Sequence, residues 1–333
     1  MQNNEIENLR SAMGTLPNQA PEKSYEYRNC LDTIYTKMVE WPDNPYRMMV
    51  RMAASTWGDG GTGQGHGSTQ KWEKLTPENR FRVALSVLTN NTLPVPAEAP
   101  QFVFEFNGVP RHTFDQFARM RLGSGHASIG CRDNNKLDVP FVLYPGLYEM
   151  IKKYSNLRRQ FEDWIVDTKD LYEAILKEGS GSWQEARAVL PMSYSHSWTS
   201  YINFLAFKGQ CGRRLMACEE APIVLLFWKM RAEIENKFPL LANYCRPVCD
   251  NARKCVYTEG PEGLTKLFSN LFAGCGRWPD SSGYSEFNRS CTSYAELEKH
   301  VHIVGAEEWK KFGLDDFEKL DRKDKELFAD GYV

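Results

Sequence analysis

The sequence has no long apolar run, little excess of either charge and no tightly spaced cysteine pair, and each absence removes a class of protein. Its longest uninterrupted apolar stretch, Pro222 to Trp228, is far shorter than the roughly 20 residues a membrane-crossing helix needs. Residues Met1 to Glu26 are polar rather than signal-like, so the expectation is a cytoplasmic protein with no membrane partner. The formal net charge is only -2, with both signs mixed throughout. No basic face marks a nucleic-acid binder, and any phosphate recognition falls to local arginine clusters. Nine cysteines, an odd count in 333 residues, fit reduced thiols better than a secreted disulfide framework. Cys245, Cys249, Cys255 and Cys275 could in principle hold zinc, but they lack Cys-x-x-Cys spacing, so buried thiols and no metal are expected. The glycine-rich stretch from Trp57 to Ser68 has no Gly-Lys-Ser/Thr ending and reads as a flexible loop, not a phosphate loop.

What is present is enough apolar residue, 42% hydrophobic and 13% aromatic, to bury a full core. Tyr27, Leu31, Ile34, Tyr35 and Met38 share a helical face and predict a helix over Tyr25 to Trp41, ended by Pro42 and Pro45. A short helix is expected over Tyr46 to Ala54, and another opens at Thr76-Pro77-Glu78 with Phe81, Ala84, Leu85 and Leu88 inward. Alternation of Phe102, Phe104 and Phe106 predicts a half-buried strand ended by Gly108 and Pro110, followed by a helix from about Thr113 to Arg121. A helical period runs from Leu147 to Lys177 and stops at Gly179 and Gly181. Ser182 and Glu185 have capping-box spacing for a helix closed by Pro191, and further helices are expected over Ser197 to Lys208 and Ala221 to Lys237. Beyond Pro239 the pattern loosens.

Two constellations carry chemistry. In the first, Gln116 and Arg119 lie one helical turn apart, and a small-residue loop follows from Ser124 through Ser128 to Arg132. Such a loop exposes backbone N–H groups, and its arginines supply bidentate donors for phosphate oxygens. A solvated helix end followed by a turn would look the same. In the second, Arg187 sits on a capped, otherwise apolar helix where a charge needs a partner or a ligand, unless its stem merely covers apolar surface. Arg213 and Arg214 beside Gly212 read more readily as solvent-facing. His112, His126 and His196 are more often capping or core residues, although His126, inside the loop, is the best candidate for a general acid or base.

In its order of motifs the chain resembles the flavin-dependent thymidylate synthases. The resemblance rests on Gln116, Arg119, Arg121, Ser124, Arg187, Leu190, Pro191, Asn203, Arg214 and Ile223, with Ala53 to Trp57 and Asn91 to Pro94 upstream, and spans roughly Pro45 to Pro239. It implies an α+β fold, mostly helical with an antiparallel sheet, in three parts: an extension over 1–44, a catalytic domain over 45–239 and a C-terminal extension over 240–333. It also implies a homotetramer with sites shared between subunits. By the same resemblance Arg187, Arg214, Gln116 and the loop with Ser124, Ser128 and Arg132 would hold a pyrimidine nucleotide monophosphate. Thr56, Thr92, Arg119, Met120, Arg121, Leu122 and Asn203 would line FAD, and Arg119, Arg121 and Arg214 would serve catalysis, joined by His126 on the strength of its place in the loop rather than of the resemblance. Methylenetetrahydrofolate would supply the carbon, NADPH would recharge the flavin, and C5 of a deoxyuridine monophosphate-type base would be methylated without a cysteine nucleophile.

The chain also departs from that pattern. Met120 stands where the family has a histidine, Cys131 stands at the strict position of the loop arginine, and Cys218 replaces a flavin-side histidine. Glu219, Glu220 and Pro222 replace an expected Ala, Gln and Glu, with Pro222 marking a helix N-terminus. Arg132 is preferred over Cys131 because a guanidinium suits phosphate. These changes leave open hydroxymethylation, methylation of another pyrimidine nucleotide such as a cytosine nucleotide, or a non-catalytic nucleotide-binding relative.

Overall fold

The computed structural model describes residues 23–56, 72–128, 135–178, 182–217, 219–252, 294–305, 308–311 and 315–330. Its strands are β1 (Tyr27–Asn29), β2 (Tyr35–Glu40), β3 (Gln101–Pro110), β4 (Ser124–Ser128), β5 (Phe141–Leu143) and β6 (Ser195–Asn203). The order β2-β3-β6-β4 makes an antiparallel sheet, and β1 pairs with β5 in parallel. The main helices are α1 (Pro45–Ser55), α2 (Pro77–Leu88), α3 (Arg111–Phe117), α4 (Pro145–Lys153), α5 (Ser155–Glu178), α6 (Phe204–Arg214), α7 (Ala221–Lys237) and α8 (Arg322–Ala329). The fold is α+β with an antiparallel sheet, as the resemblance implies. Among the described residues no helix is long and apolar enough to cross a membrane.

Alternation builds the sheet. Phe102, Phe104 and Phe106 on β3 point to the same face as Trp198 and Ile202 on β6, and all are buried. That face is covered by α7, whose residues Ala221 to Trp228 are all buried, as expected for a helix that is apolar all round. Phe117 at the end of α3 joins the same packing, with its ring centroid 5.2 Å from Phe106 and 5.8 Å from Phe227. Gly108, at φ +68°, lets β3 bend past the Cys30–Thr33 turn, because a Cβ there would lie 2.2 Å from the Thr33 carbonyl oxygen. Pro45, Pro77 and Pro222 sit in the first turns of α1, α2 and α7, where a missing N–H costs nothing.

Several expected elements differ. Tyr25 to Trp41 is not one helix but β1, a four-residue helical turn and β2. The Ile34/Met38 spacing of four that suggested a helix is also a multiple of the strand period of two, and pairing with β3 decides between them. The same ambiguity misled over Ser197 to Lys208, which is strand to Asn203 and helix only from Phe204. Leu147 to Lys177 is broken at Tyr154, which takes an extended conformation at φ -108° and ψ 107° between α4 and α5. The helix expected to reach Arg121 ends at Phe117, and the supposed loop from Ser124 is an edge strand as far as Ser128. The segment Ser182 to Pro191 forms only a short helix, Trp183–Ala186, and a 3-10 turn, Arg187–Val189. The glycine-rich loop, Arg132, Gly179, Gly181, Cys218, Cys255 and Cys275 lie outside the described residues.

Past Pro239 the chain returns to the core. In α8, Phe328 stacks on Tyr46 of α1 with centroids 4.5 Å apart, and buried Asp324 accepts from the Tyr46 hydroxyl and, at 2.8 Å, from the Leu240 N–H. Arg80 of α2 donates to the Phe328 carbonyl at 2.8 Å and to the Trp72 carbonyl at 2.9 Å. A separate small apolar cluster of Leu137, Tyr172 and Ala186 lies under α5. There the Lys169 ammonium ties down the approach to β5 by donating to the carbonyls of Lys136, Leu137 and Val139 at 2.8, 2.9 and 2.7 Å.

Candidate functional site

Between α3 and β4 the chain makes a turn, Ala118 to Gly123, that is fixed from within. The Met120 carbonyl oxygen accepts from the Ser124 hydroxyl and, at 3.1 Å, from His126 Nε2. A carbonyl only accepts, so Nε2 donates there, and Nδ1 lies 2.8 Å from Ser200 Oγ. Both nitrogens of His126 thus have partners, one in the turn at Met120 and one on β6 at Ser200. Gly123, at φ +70°, lies so close to Asn203 that a Cβ would come within 2.5 Å of its amide nitrogen. Asn203 in turn caps α6 by accepting from the Ala206 N–H at 2.8 Å.

The outside of this turn is open. Arg119 and Arg121 are exposed, and among the described residues neither guanidinium is paired. Leu122 is 91% exposed, while Met120 between the arginines points inward and is buried. The end of α6 and the start of α7 complete a cleft of about 260 Å³ lined by Gln116, Arg119, Arg214, Glu219 and Glu220. Glu219 accepts from Arg213 Nε at 2.6 Å through one oxygen and from Arg214 Nη1 through the other. Among the described residues, Arg214 Nε is buried without a hydrogen-bond partner. Glu220 accepts from the Tyr144 hydroxyl. Burial first, and then this hydrogen bond, hold the Tyr144 pKa far above its ordinary value, so the phenol remains a neutral donor.

The chain therefore brings Gln116, Arg119 and Arg214 together and leaves other expected site residues apart. Arg187 is exposed on its 3-10 turn beside the small cluster under α5, not inside an apolar helix, and it does not line the cleft. Ser128 is exposed at the end of β4 opposite Trp198. Thr56 ends α1 and donates to the Ala53 carbonyl at 2.7 Å, and half-buried Thr92 follows Asn90, a residue at φ +60°. His196 is buried, and burial, followed by Arg111 and Lys136, pushes its pKa down to about 3, which makes it a neutral core residue. Glu219, Glu220 and Tyr144 are the lining or supporting residues that sequence reasoning did not place. The two glutamates stood out only as departures from a motif, and Tyr144 carried no signal at all.

A match to the family described as thymidylate synthase complementing protein covers residues 21–240. The chain belongs to this family. The match takes in the whole turn, the cleft and Tyr144, and the family is the flavin-dependent thymidylate synthase family that the motif order resembles. Among solved structures, a UMP/dUMP methylase, PolB from Streptomyces cacaoi bound with 5-Br dUMP, superposes with a TM-score of 0.51 at 15% identity, covering 66% of this chain and 96% of that one. The same methylase bound with 5-Br UMP gives a TM-score of 0.49 at 15% identity, covering 67% and 96%. At this identity the first likeness speaks for the fold alone. No curated protein matches the chain.

Proposed function

We propose that this member of the thymidylate synthase complementing protein family is a flavin- and folate-dependent enzyme that methylates C5 of a deoxyuridine monophosphate-type nucleotide. The observation that carries the reading is the cleft in which Gln116 and Arg119, one helical turn apart, meet the distant Arg214 beside an exposed turn. The UMP/dUMP methylase whose fold this chain shares supports the substrate class.

In this reading Gln116 and Arg214 orient the pyrimidine, and their N–H groups stabilise negative charge as it develops on the ring oxygens. The turn suits a broad, partly anionic cofactor, because two exposed guanidiniums, unpaired among the described residues, are followed directly by a bare leucine. Arg119, Arg121, Leu122 and Asn203 would hold FAD there, with Thr56 and Thr92 on neighbouring elements. A flavin held there would supply the hydride that completes the methyl group, with methylenetetrahydrofolate as the carbon donor and NADPH as the source of reducing equivalents for the flavin. Cys30, Cys211, Cys245 and Cys249 are all buried and none lines the cleft, which supports activation of the base without any of these four thiols. Exposed Arg187, standing outside its own chain's cleft, fits a homotetramer in which a neighbouring copy completes the nucleotide site.

The test is direct. Purified protein should bind FAD, bleach on addition of NADPH, and convert dUMP to a product heavier by one methylene unit when methylenetetrahydrofolate is present. A protein that takes up no flavin overturns the reading, and a hydroxymethyl product would replace methylation with the variant outcome.

A further inference from the structure

The cleft already contains an anion of its own. Glu219 has both carboxylate oxygens engaged, one by Arg213 and one by Arg214, and its side chain is only 12% exposed, against 20% for Arg214 and 71% for Arg213. Such an arginine–carboxylate contact uses the same donors that a ligand oxygen or phosphate would need. Arg214 nevertheless keeps Nε buried and unpaired, so its hydrogen-bonding capacity is only partly used by the glutamate. Glu219 also has limited freedom to leave. Its N–H donates to the Met216 carbonyl at 3.0 Å, the next residue is tied to Tyr144, and α7 begins immediately afterwards.

We infer that Glu219 is a built-in counter-ion that competes with the nucleotide for Arg214, and that Arg213 retains the displaced carboxylate once the nucleotide has taken Arg214. This rests on the nucleotide reading above and goes beyond it by assigning control of affinity to a pair of residues outside the nucleotide contacts. The physical basis is an exchange of partners. Binding breaks the more buried of two ion pairs and keeps the exposed one, so the carboxylate is never left desolvated and alone. Arg213 and Glu219 are here positioning residues, since they act through Arg214.

The experiment is calorimetric titration of dUMP into the full-length protein, its Glu219→Gln and Arg213→Gln variants, and the double variant, with a urea midpoint for each to confirm folding. Glu219→Gln is expected to bind dUMP about tenfold more tightly, because the competing charge is gone while an amide of the same shape remains. Arg213→Gln is expected to bind about threefold more weakly, because Glu219 then has Arg214 as its sole partner of the two. In the Glu219→Gln background the Arg213 substitution should have no effect, a non-additivity that a merely structural role would not produce. Glu219→Ala should shift affinity in the same direction as Glu219→Gln. Weaker binding by Glu219→Gln, or an equal Arg213 effect in both backgrounds, overturns the proposal while leaving the nucleotide reading intact. Absence of dUMP binding in wild type and all variants overturns both.

Discussion

The C-terminal clasp and the cleft use the same chemical groups to opposite ends. In the clasp, the guanidinium of Arg80 lies against Trp72 at 4.4 Å and meets backbone carbonyls, and the carboxylate of Asp324 meets a tyrosine hydroxyl and a backbone N–H. At the cleft and its adjoining turn, among the described residues, Arg119 and Arg121 face solvent unpaired, Arg214 keeps a buried N–H unused, and Leu122 is uncovered. A buried polar group left without a partner is costly, so the first arrangement closes a structure, and the second is the one that the proposed function gives to a ligand. On that proposal the difference separates arginines that hold the fold from arginines that would serve a ligand, a distinction invisible in residue type alone.

The sharpest way to break this comparison is to remove a guanidinium from the clasp. Arg80→Ala leaves the Trp72 and Phe328 carbonyls without their donor and opens space beside Trp72. The expected loss is about 3 kcal/mol of unfolding free energy, read from urea denaturation, with dUMP affinity of the folded fraction unchanged. A smaller effect should appear with pH. Burial raises the Asp324 carboxyl from its ordinary 3.8 to about 7, so the folded chain holds that proton more tightly than the unfolded one. Its contribution to stability is fully present below pH 3.8 and is lost as pH rises through about 7. Between pH 5 and 7 the wild type should lose about 2 kcal/mol through this group. Asp324→Asn should flatten that part of the profile, and an unchanged slope would count against a buried, proton-holding Asp324.

The same contrast explains what could be read from the chain in advance. Helices opened by Pro77 and Pro222 were legible because proline in a first turn is a local signal, whereas Pro45, read only as a stop for the preceding segment, in fact opens α1. The β3 strand was legible because Phe102, Phe104 and Phe106 alternate. β2 and β6 were mistaken for helix because Ile34/Met38 and Trp198/Ile202 are four apart, a spacing both periods accept, and only pairing with β3 resolves it. At the site, motif order singled out Gln116, Arg119 and Arg214, which do share a cleft. The partners of that cleft were not legible. Tyr144 meets Glu220 across 76 residues, and the contact of His126 with Ser200 arises only once β4 pairs with β6.

On the ligand side the expected signs reverse. Arg119→Ala removes an exposed side chain that is unpaired among the described residues, so unfolding free energy should move by less than about 0.5 kcal/mol. Nucleotide-dependent turnover should fall about tenfold, which corresponds to about 1.4 kcal/mol. A large stability loss with intact turnover would place Arg119 with Arg80 and erase the distinction. The smallest and most discriminating change is Leu122→Ser. A side chain that is 91% exposed contributes almost nothing to the packing of its own chain, so the urea midpoint should not move. If the turn is a cofactor platform, burying that leucine against a flat ring is worth something only in the bound state, and FAD retention on gel filtration should weaken about threefold. Unchanged retention would mean that the exposed leucine is ordinary surface, leaving Arg119 and Arg121 to hold the cofactor by charge alone. Raising the salt concentration would then release FAD from wild type and Leu122→Ser alike.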